Sequence, residues 1–306
     1  MSVAAPPLPI TINPPRDIHW LHAVESIGSN GAAAKLPTHL DLPFEDGELV
    51  ENYRELPQTE LLNSTLRPVL RRMNPDGQFA IGGNSGVYWS ITDPPLRGAV
   101  APDWFCVSGV DPTLANGTPR RSYVMWQERK VPQVVIEYIS RDGKKERDTT
   151  PNTGKFWIYE NGVRAPYYVI FDSFRGTLEV HHLEGKFYRP VQANEHGRFP
   201  IPELGIEFGL WRGYFGNENA IWLRAWNSDG SLIPAASELV ERMTAQIEEK
   251  DRDVVQEKQR ADVEKNRADV EKQRAEREKQ RADVEKQHSE KLAAKLRALG
   301  LDPDAP

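Results

Sequence analysis

The sequence lacks the means to form disulfides or to cross a membrane. It contains one cysteine, Cys106, so no disulfide can form within the chain, and a reducing, cytoplasmic location is expected. No apolar run reaches the roughly 18 residues that a transmembrane helix needs, so none is predicted. The segment Met1–Ile10 has no basic region followed by an apolar core, so no signal peptide is predicted.

An excess of positive charge is also missing. The 306 residues carry 39 Lys and Arg and 45 Asp and Glu, which gives a formal net charge of −6. Proteins that coat nucleic acid usually have a basic surface, so this balance argues against such a role. It is compatible with an enzyme that approaches DNA through a metal ion and a few local lysines.

Composition divides the chain into four segments. Residues 1–40 are rich in Pro and Ala and are predicted to be largely disordered. All eight tryptophans fall at or before Trp226, so residues 41–230 are predicted to contain the folded domain. No Gly or Pro occurs within residues 235–298, which are predicted to form a long charged helix. Residues 299–306 form a short tail.

The predicted helix repeats every seven residues over Arg260–Gln287, as RADVEKN, RADVEKQ, RAEREKQ and RADVEKQ. A coiled coil needs apolar residues spaced three and then four apart, whereas the Ala and Val of each repeat are two and then five apart. Opposite charges recur at helical spacing, such as Arg260 with Glu264, and each such pair contributes about 0.2–0.5 kcal/mol. An isolated ion-paired helix and a weak coiled coil both stay open. The helix is a candidate surface for a homodimer or a protein partner.

Two carboxylates occur inside apolar segments that are predicted to be buried strands. Glu137 lies in the centre of Val131–Ser140 (VPQVVIEYIS), and Asp103 begins the apolar run in AVAPDWFCV. Burying a charge is costly unless the charge is paired or binds a metal. These two acids are therefore the strongest candidates for functional residues.

A lysine is predicted to lie close to the two acids. Thr149 or Thr150 can cap a short helix over PNTGKFWIY, so Lys155 and Tyr159, four residues apart, should share one helix face. Asp148 precedes this helix and is a candidate for either a further metal ligand or a helix-start residue.

Glu60 is a weaker candidate for the same site. The apolar residues of PQTELLNSTLRPVLRRM recur at helical spacing and predict an amphipathic helix, which Pro68 should kink or end late. Glu60 lies near the helix start, where a carboxylate interacts favourably with the helix dipole. That interpretation is favoured over metal binding, although a glutamate on this first helix could reach a metal.

Asp103, Glu137 and Lys155 together match the needs of phosphodiester hydrolysis. A divalent cation neutralises the charge that develops on the phosphate and lowers the pKa of a water. Mg²⁺ binds through one or two carboxylates and keeps several waters. A nearby lysine can position or activate the attacking water. The cofactor expected for this set of residues is Mg²⁺ or Mn²⁺.

The order of these motifs resembles the bacterial putative restriction endonuclease family of the PD-(D/E)XK nuclease superfamily. The resemblance covers roughly Leu42 to Trp226 and rests on PD, then ExxS in an apolar strand, then the D…K…Y helix, then YYVIFD. It implies an α/β (α+β) fold with a mixed sheet flanked by helices, and the long C-terminal helix lies outside it. It also implies DNA as the substrate and a divalent metal bound by Asp103 and Glu137.

One position departs from the superfamily motif, which has a lysine two residues after the glutamate. That position here is Ile139. The sequence resembles those relatives in which the lysine has moved to the following helix, and Lys155 is the residue that matches it.

Three interpretations stay open. The first is a Mg²⁺-dependent DNA endonuclease with Asp103, Glu137 and Lys155 as catalytic residues. The second is a non-catalytic interaction protein with a nuclease-like fold, which the displaced lysine, the acidic folded part and the long helix favour. The third is that Glu137 is only one half of a buried ion pair with Lys155.

Overall fold

The computed structural model describes residues 36–43, 53–114, 117–139 and 141–298. The predicted disordered segment 1–40 lies mostly outside these ranges, and the tail 299–306 and Ser140 of the ExxS motif lie outside them entirely. The chain divides into two compact units, with the boundary after Ala236. No helix within the described ranges has the length and apolar character needed to span a membrane.

The described residues form short strands and four α-helices. The helices are α1 (Glu55–Met73), α2 (Met125–Glu128), α3 (Lys155–Trp157), which continues as a π-helical segment over Ile158–Val163, and α4 (Ala236–Ala298). The strands are β1 (Phe79–Gly82), β2 (Val87–Tyr88), β3 (Ala99–Val100), β4 (Trp104–Ser108), β5 (Tyr123–Val124), β6 (Val134–Tyr138), β7 (Tyr167–Asp172), β8 (Thr177–Glu184), β9 (Phe187–Pro190), β10 (Phe199–Ile201), β11 (Ile206–Phe215) and β12 (Glu218–Asn227).

A six-stranded mixed sheet forms the centre of the first unit, in the order β1-β4-β6-β7-β8-β9. Strands β6 and β7 are parallel, and the other neighbours in this sheet are antiparallel. Strands β10, β11 and β12 form an antiparallel sheet, and β3, β2 and β5 form a small third one. The expected α+β fold, with a mixed sheet, flanking helices and a long C-terminal helix, is confirmed.

Strand β6 lies in the interior of this sheet, and all five of its residues are buried. Its sequence VVIEY is almost continuously apolar, as expected for a strand that is covered on both faces. Val134 and Ile136 face one core, and Val135 faces the other. Because side chains alternate along a strand, Glu137 points to the same face as Val135.

Helix α1 covers the face of the sheet that Val134 and Ile136 share. Its buried apolar residues are Leu61, Leu62, Leu66, Val69 and Leu70. Four of them join a core that also contains residues of β4, β6, β7, β11 and β12. Pro68 lies inside the helix, which continues to Met73, so the predicted late break does not occur.

The opposite face of the sheet is covered by α3 with its π-helical continuation and by the segment that carries β2, β3 and β5. Tyr159, Val163 and Tyr168 are fully buried in this second core. The helix begins later than predicted, at Lys155 with Gly154 as its N-cap residue, and not at Thr149 or Thr150. A Cβ atom on residue 154 would lie 2.3 Å from the carbonyl oxygen of Asp148, so only glycine allows this close approach.

Helix α4 forms most of the second unit and continues for 63 residues. It buries none of its residues, and its helical bounds lie within the segment 235–298 predicted from the sequence. Arg274 and Glu278 form one of the expected ion pairs, at 3.6 Å and four residues apart. The two residues are 81% and 69% exposed, so such a pair contributes little to stability.

Candidate active site

Asp103 and Glu137 meet on one face of the central sheet. The antiparallel ladder of β4 and β6 ends with Trp104 paired with Ile136, and Asp103 and Glu137 are the next residues of the two segments. The two acids are close enough for the charge of Glu137 to act on Asp103. The backbone N–H of Tyr138 donates a hydrogen bond to Oδ2 of Asp103 at 2.5 Å, which ties the aspartate to β6. The sequence spacing alone could not show this pairing.

Lys155 and Tyr159 both bind the carboxylate of Glu137. The Lys155 ammonium donates to Oε2 at 2.7 Å, and the Tyr159 hydroxyl donates to Oε1 at 2.5 Å. The side chain of Glu137 is 1% exposed, and that of Lys155 is 20% exposed. The predicted helix face that Lys155 and Tyr159 share therefore lies directly over β6, and the site approaches solvent at the lysine.

Burial and mutual charge shift the pKa values of this cluster. Burial, together with the neighbouring Glu137, raises the pKa of Asp103 well above its usual range. For Lys155, burial favours the neutral amine, but Glu137 and Asp103 outweigh it, so the pKa of the lysine is raised and the ammonium is retained. Burial and Glu137 also raise the pKa of Tyr159, which stays a neutral hydrogen-bond donor.

Asp148 does not join this cluster through its side chain. Its Oδ1 accepts hydrogen bonds from the backbone N–H of Thr150 at 2.8 Å and from the Thr150 hydroxyl at 2.6 Å. Its carbonyl oxygen accepts the backbone N–H of Phe156 at 3.0 Å. The Asp148 side chain therefore holds the turn before α3, and its backbone contacts the first turn of that helix.

Glu60 is exposed on α1, whereas a different glutamate of that helix lies near the site. Glu55, in the first turn, is 6% exposed. Its negative charge contributes to the raised pKa of Asp103. Sequence reasoning selected Glu60 and missed Glu55, although both lie near the helix start.

Glu146 is a second residue that the sequence did not single out. It lies in the polar segment RDGKKERD yet is only 5% exposed. Burial raises its pKa, while the nearby Lys155 lowers it. Its carbonyl oxygen accepts a hydrogen bond from Tyr168 at 2.8 Å, which fixes the segment beside the site. A buried glutamate in such a charged run leaves no periodic signal in the sequence.

The donor set suits a hard divalent cation. Within the described ranges, no three His, Cys, Asp or Glu side chains form a group that could hold a metal by themselves. Mg²⁺ needs fewer protein ligands than three, because it binds through one or two carboxylates and keeps several waters. Burial and the charge of Glu137 raise the pKa of Asp103, and a cation bound beside it would favour its ionised form.

Comparisons with known proteins identify the family to which this chain belongs. A family model described as "Uma2: Putative restriction endonuclease" matches residues 36–215, which is more than half of the chain. The chain therefore belongs to the Uma2 family, and the predicted resemblance is confirmed. Proteins of this restriction endonuclease-like class generally use divalent metal ions.

A solved structure is also similar, the crystal structure of "a putative nuclease belonging to DUF820 from Anabaena variabilis ATCC 29413". The two chains are 13% identical, and the match covers 56% of this chain and 87% of the other, with a TM-score of 0.34. A structural similarity with so low a TM-score supports no inference about this chain. No curated protein matches the sequence significantly.

Proposed function

We propose that this protein is a divalent-metal-dependent DNA endonuclease that hydrolyses phosphodiester bonds. The observation that carries the proposal is that Lys155 binds Glu137 directly, while Asp103 is tied to the same strand and lies close enough for the charges of both to act on it. Membership of a restriction endonuclease family supports the reaction class.

Each residue has a distinct role in this proposal. Asp103 and Glu137 would hold Mg²⁺ or Mn²⁺, which supplies charge neutralisation at the phosphate and a more acidic water. Lys155 keeps its proton and can stabilise the negative charge that develops on the phosphate. Tyr159 holds Glu137 in place and is a positioning residue. The π-helical segment after α3 buries this side of the site and keeps bulk water from Glu137.

The proposal is tested by incubating the full-length protein with supercoiled and linear DNA in the presence of Mg²⁺ or Mn²⁺. Cleavage is expected, and it should fall by at least about 100-fold in the Asp103→Asn and Glu137→Gln variants, because each removes a charge that the transition state needs. Asp229→Asn is the matched control. Asp229 lies in an exposed turn after β12, where its Oδ1 caps Ser231, so cleavage should be unchanged.

The second candidate function is a non-catalytic interaction protein with a nuclease-like fold. One observation favours it: both oxygens of Glu137 already accept hydrogen bonds, from Lys155 and from Tyr159. Calorimetric titration with Mn²⁺ separates the candidates. The endonuclease is expected to bind Mn²⁺ and to lose that binding in Asp103→Asn. Absence of both metal binding and cleavage in the folded wild-type protein would favour the second candidate.

A further inference from the structure

One face of α4 carries a seam with the spacing that paired helices require. Val263, Val270, Arg277 and Val284 recur every seven residues, and an amide side chain follows each of them by three. The amides are Asn266, Gln273, Gln280 and Gln287. The two sets are alternately three and four residues apart, which corresponds to the a and d positions of a coiled coil. We call these eight residues the valine seam. Its three valines are 52%, 67% and 66% exposed.

Opposite charges flank the valine seam on its two sides. The e positions hold arginines and the g positions hold acids, namely Arg267, Arg274 and Arg281 against Asp262, Asp269 and Glu276. In a parallel, in-register pair of helices, each g residue faces the e residue of the following heptad on the other helix. Every acid of this set then faces an arginine of the second copy: Asp262 faces Arg267, Asp269 faces Arg274 and Glu276 faces Arg281.

Other pairings of two copies bring like charges together along the whole seam, whereas the parallel pair does so at one of its eight seam positions, where Arg277 faces Arg277 of the second copy. An antiparallel pair on the same seam would place arginine beside arginine and acid beside acid. The alternative seam, built on the alanines of the repeat such as Ala268, would place Glu271 and its equivalents at the d positions. Its flanking positions would hold Lys272 and Arg274, which are both basic. Like charges at such positions oppose association.

We propose that α4 pairs with the α4 of a second copy of this chain as a parallel, in-register coiled coil through the valine seam. β-Branched valine at a favours two strands, and the ion pairs between g and e select the orientation and register. The three valines of the seam are exposed, so this face can accept side chains of a second helix. The amides at d, and Arg277 facing its equivalent at a, make the pairing weaker than an apolar seam would, so association depends on concentration.

Sedimentation equilibrium of the full-length protein, at concentrations up to about 0.1 mM, tests the pairing. A dimer is expected. The triple variant Arg267→Glu, Arg274→Glu, Arg281→Glu has acids on both sides of the seam, and its dimer dissociation constant should rise at least about tenfold. In the reciprocal variant Asp262→Arg, Asp269→Arg, Glu276→Arg, the dimer dissociation constant should rise by the same factor. An equimolar mixture of the two triple variants should form heterodimers, because opposite charges then face each other.

The matched control is Lys265→Glu, Lys272→Glu, Lys279→Glu, which reverses the same number of charges at c positions away from the seam. Its dissociation constant should stay within about twofold of wild type. Circular dichroism checks that all variants keep their helix. A monomer over the whole concentration range, a trimer or tetramer, or equal weakening in the control set would overturn the proposal.

Cysteine cross-linking tests the orientation and register independently. Asn266→Cys and Gln280→Cys occupy two d positions, and each should form a disulfide-linked dimer on oxidation because equal positions meet in a parallel pair. Ala275→Cys lies at an outer f position and should not. An antiparallel pair cannot join both d positions to themselves, so a disulfide at one and not at the other would contradict the proposal. The native Cys106 is buried.

Discussion

Lys155 and Glu137 form an ion pair of 2.7 Å that joins a helix to an interior strand of the central sheet. The pair is asymmetric, because the glutamate is 1% exposed and the lysine 20%. Solvent can therefore reach the cation more easily than the anion, and the anion depends on its partner for compensation. Groups that bind Glu137 should therefore contribute strongly to stability.

Replacing Lys155 should destabilise the protein strongly. The Lys155→Met variant leaves a buried carboxylate without its cation, and the expected loss is about 3–5 kcal/mol in the free energy of unfolding. Urea denaturation measures it. The double variant Lys155→Met, Glu137→Gln should recover part of the loss, because no buried charge is left unpaired. Lys186→Met, in the exposed turn between β8 and β9, is the control and should change little; a similar loss there would contradict the explanation.

Removing the Tyr159 hydroxyl should also reduce stability, by a smaller amount. Tyr159→Phe deletes a 2.5 Å hydrogen bond to a buried carboxylate oxygen, and the expected loss is about 1.5–3 kcal/mol. Tyr214→Phe is the matched control, because Tyr214 is 70% exposed and its hydroxyl can bond to water in both the folded and the unfolded protein. Equal denaturation midpoints for Tyr159→Phe and the wild type would contradict the structure.

Cys106 should make stability depend on pH in the alkaline range. Burial raises the pKa of this thiol from 9.0 to about 12. Between these values the unfolded chain has lost the proton and the folded chain keeps it, so stability falls as pH rises. Relative to a Cys106→Ala variant, the wild type should lose about 1 kcal/mol between about pH 8 and pH 10. Parallel stability profiles of the two proteins would contradict this burial.

Gln58 should be important for docking α1 on β12. Its amide nitrogen donates to the carbonyl of Leu223, and its amide oxygen accepts the N–H of Leu223, both at 3.0 Å and both buried. Gln58→Met keeps the side-chain length but leaves two backbone groups without partners, so a loss of about 2–4 kcal/mol is expected in urea denaturation. The control Gln192→Met, in the exposed segment between β9 and β10, should leave the denaturation midpoint unchanged.

The two acids of the site were predictable because a buried strand normally excludes charge. Glu137 interrupts an apolar run, and Asp103 begins one, so each stood out without knowledge of the fold. The helix with Lys155 and Tyr159 was predictable from their spacing. What the spacing could not give is the register of β4 and β6, which arises from long-range pairing and brings Asp103 beside the strand that carries Glu137.

The residues that sequence reasoning missed depend on tertiary packing. Glu55 and Glu60 both lie near the start of α1, and only the rotation of the helix against the sheet determines which one is buried. Glu146 occurs in a segment whose composition indicates a solvent-exposed turn. The late start of α3 accompanies a close approach of Gly154 to the backbone of Asp148. A contact of this kind leaves no periodic pattern in the sequence.

Both oxygens of Glu137 are held by different groups, one by the Lys155 ammonium and one by the Tyr159 hydroxyl. A glutamate side chain normally gives up several rotamers when it binds a ligand, and this loss weakens the complex. Here the rotamer is already fixed when the chain folds. A ligand that approaches this carboxylate therefore meets a rigid acceptor of set direction, so it is selected by shape as well as by charge.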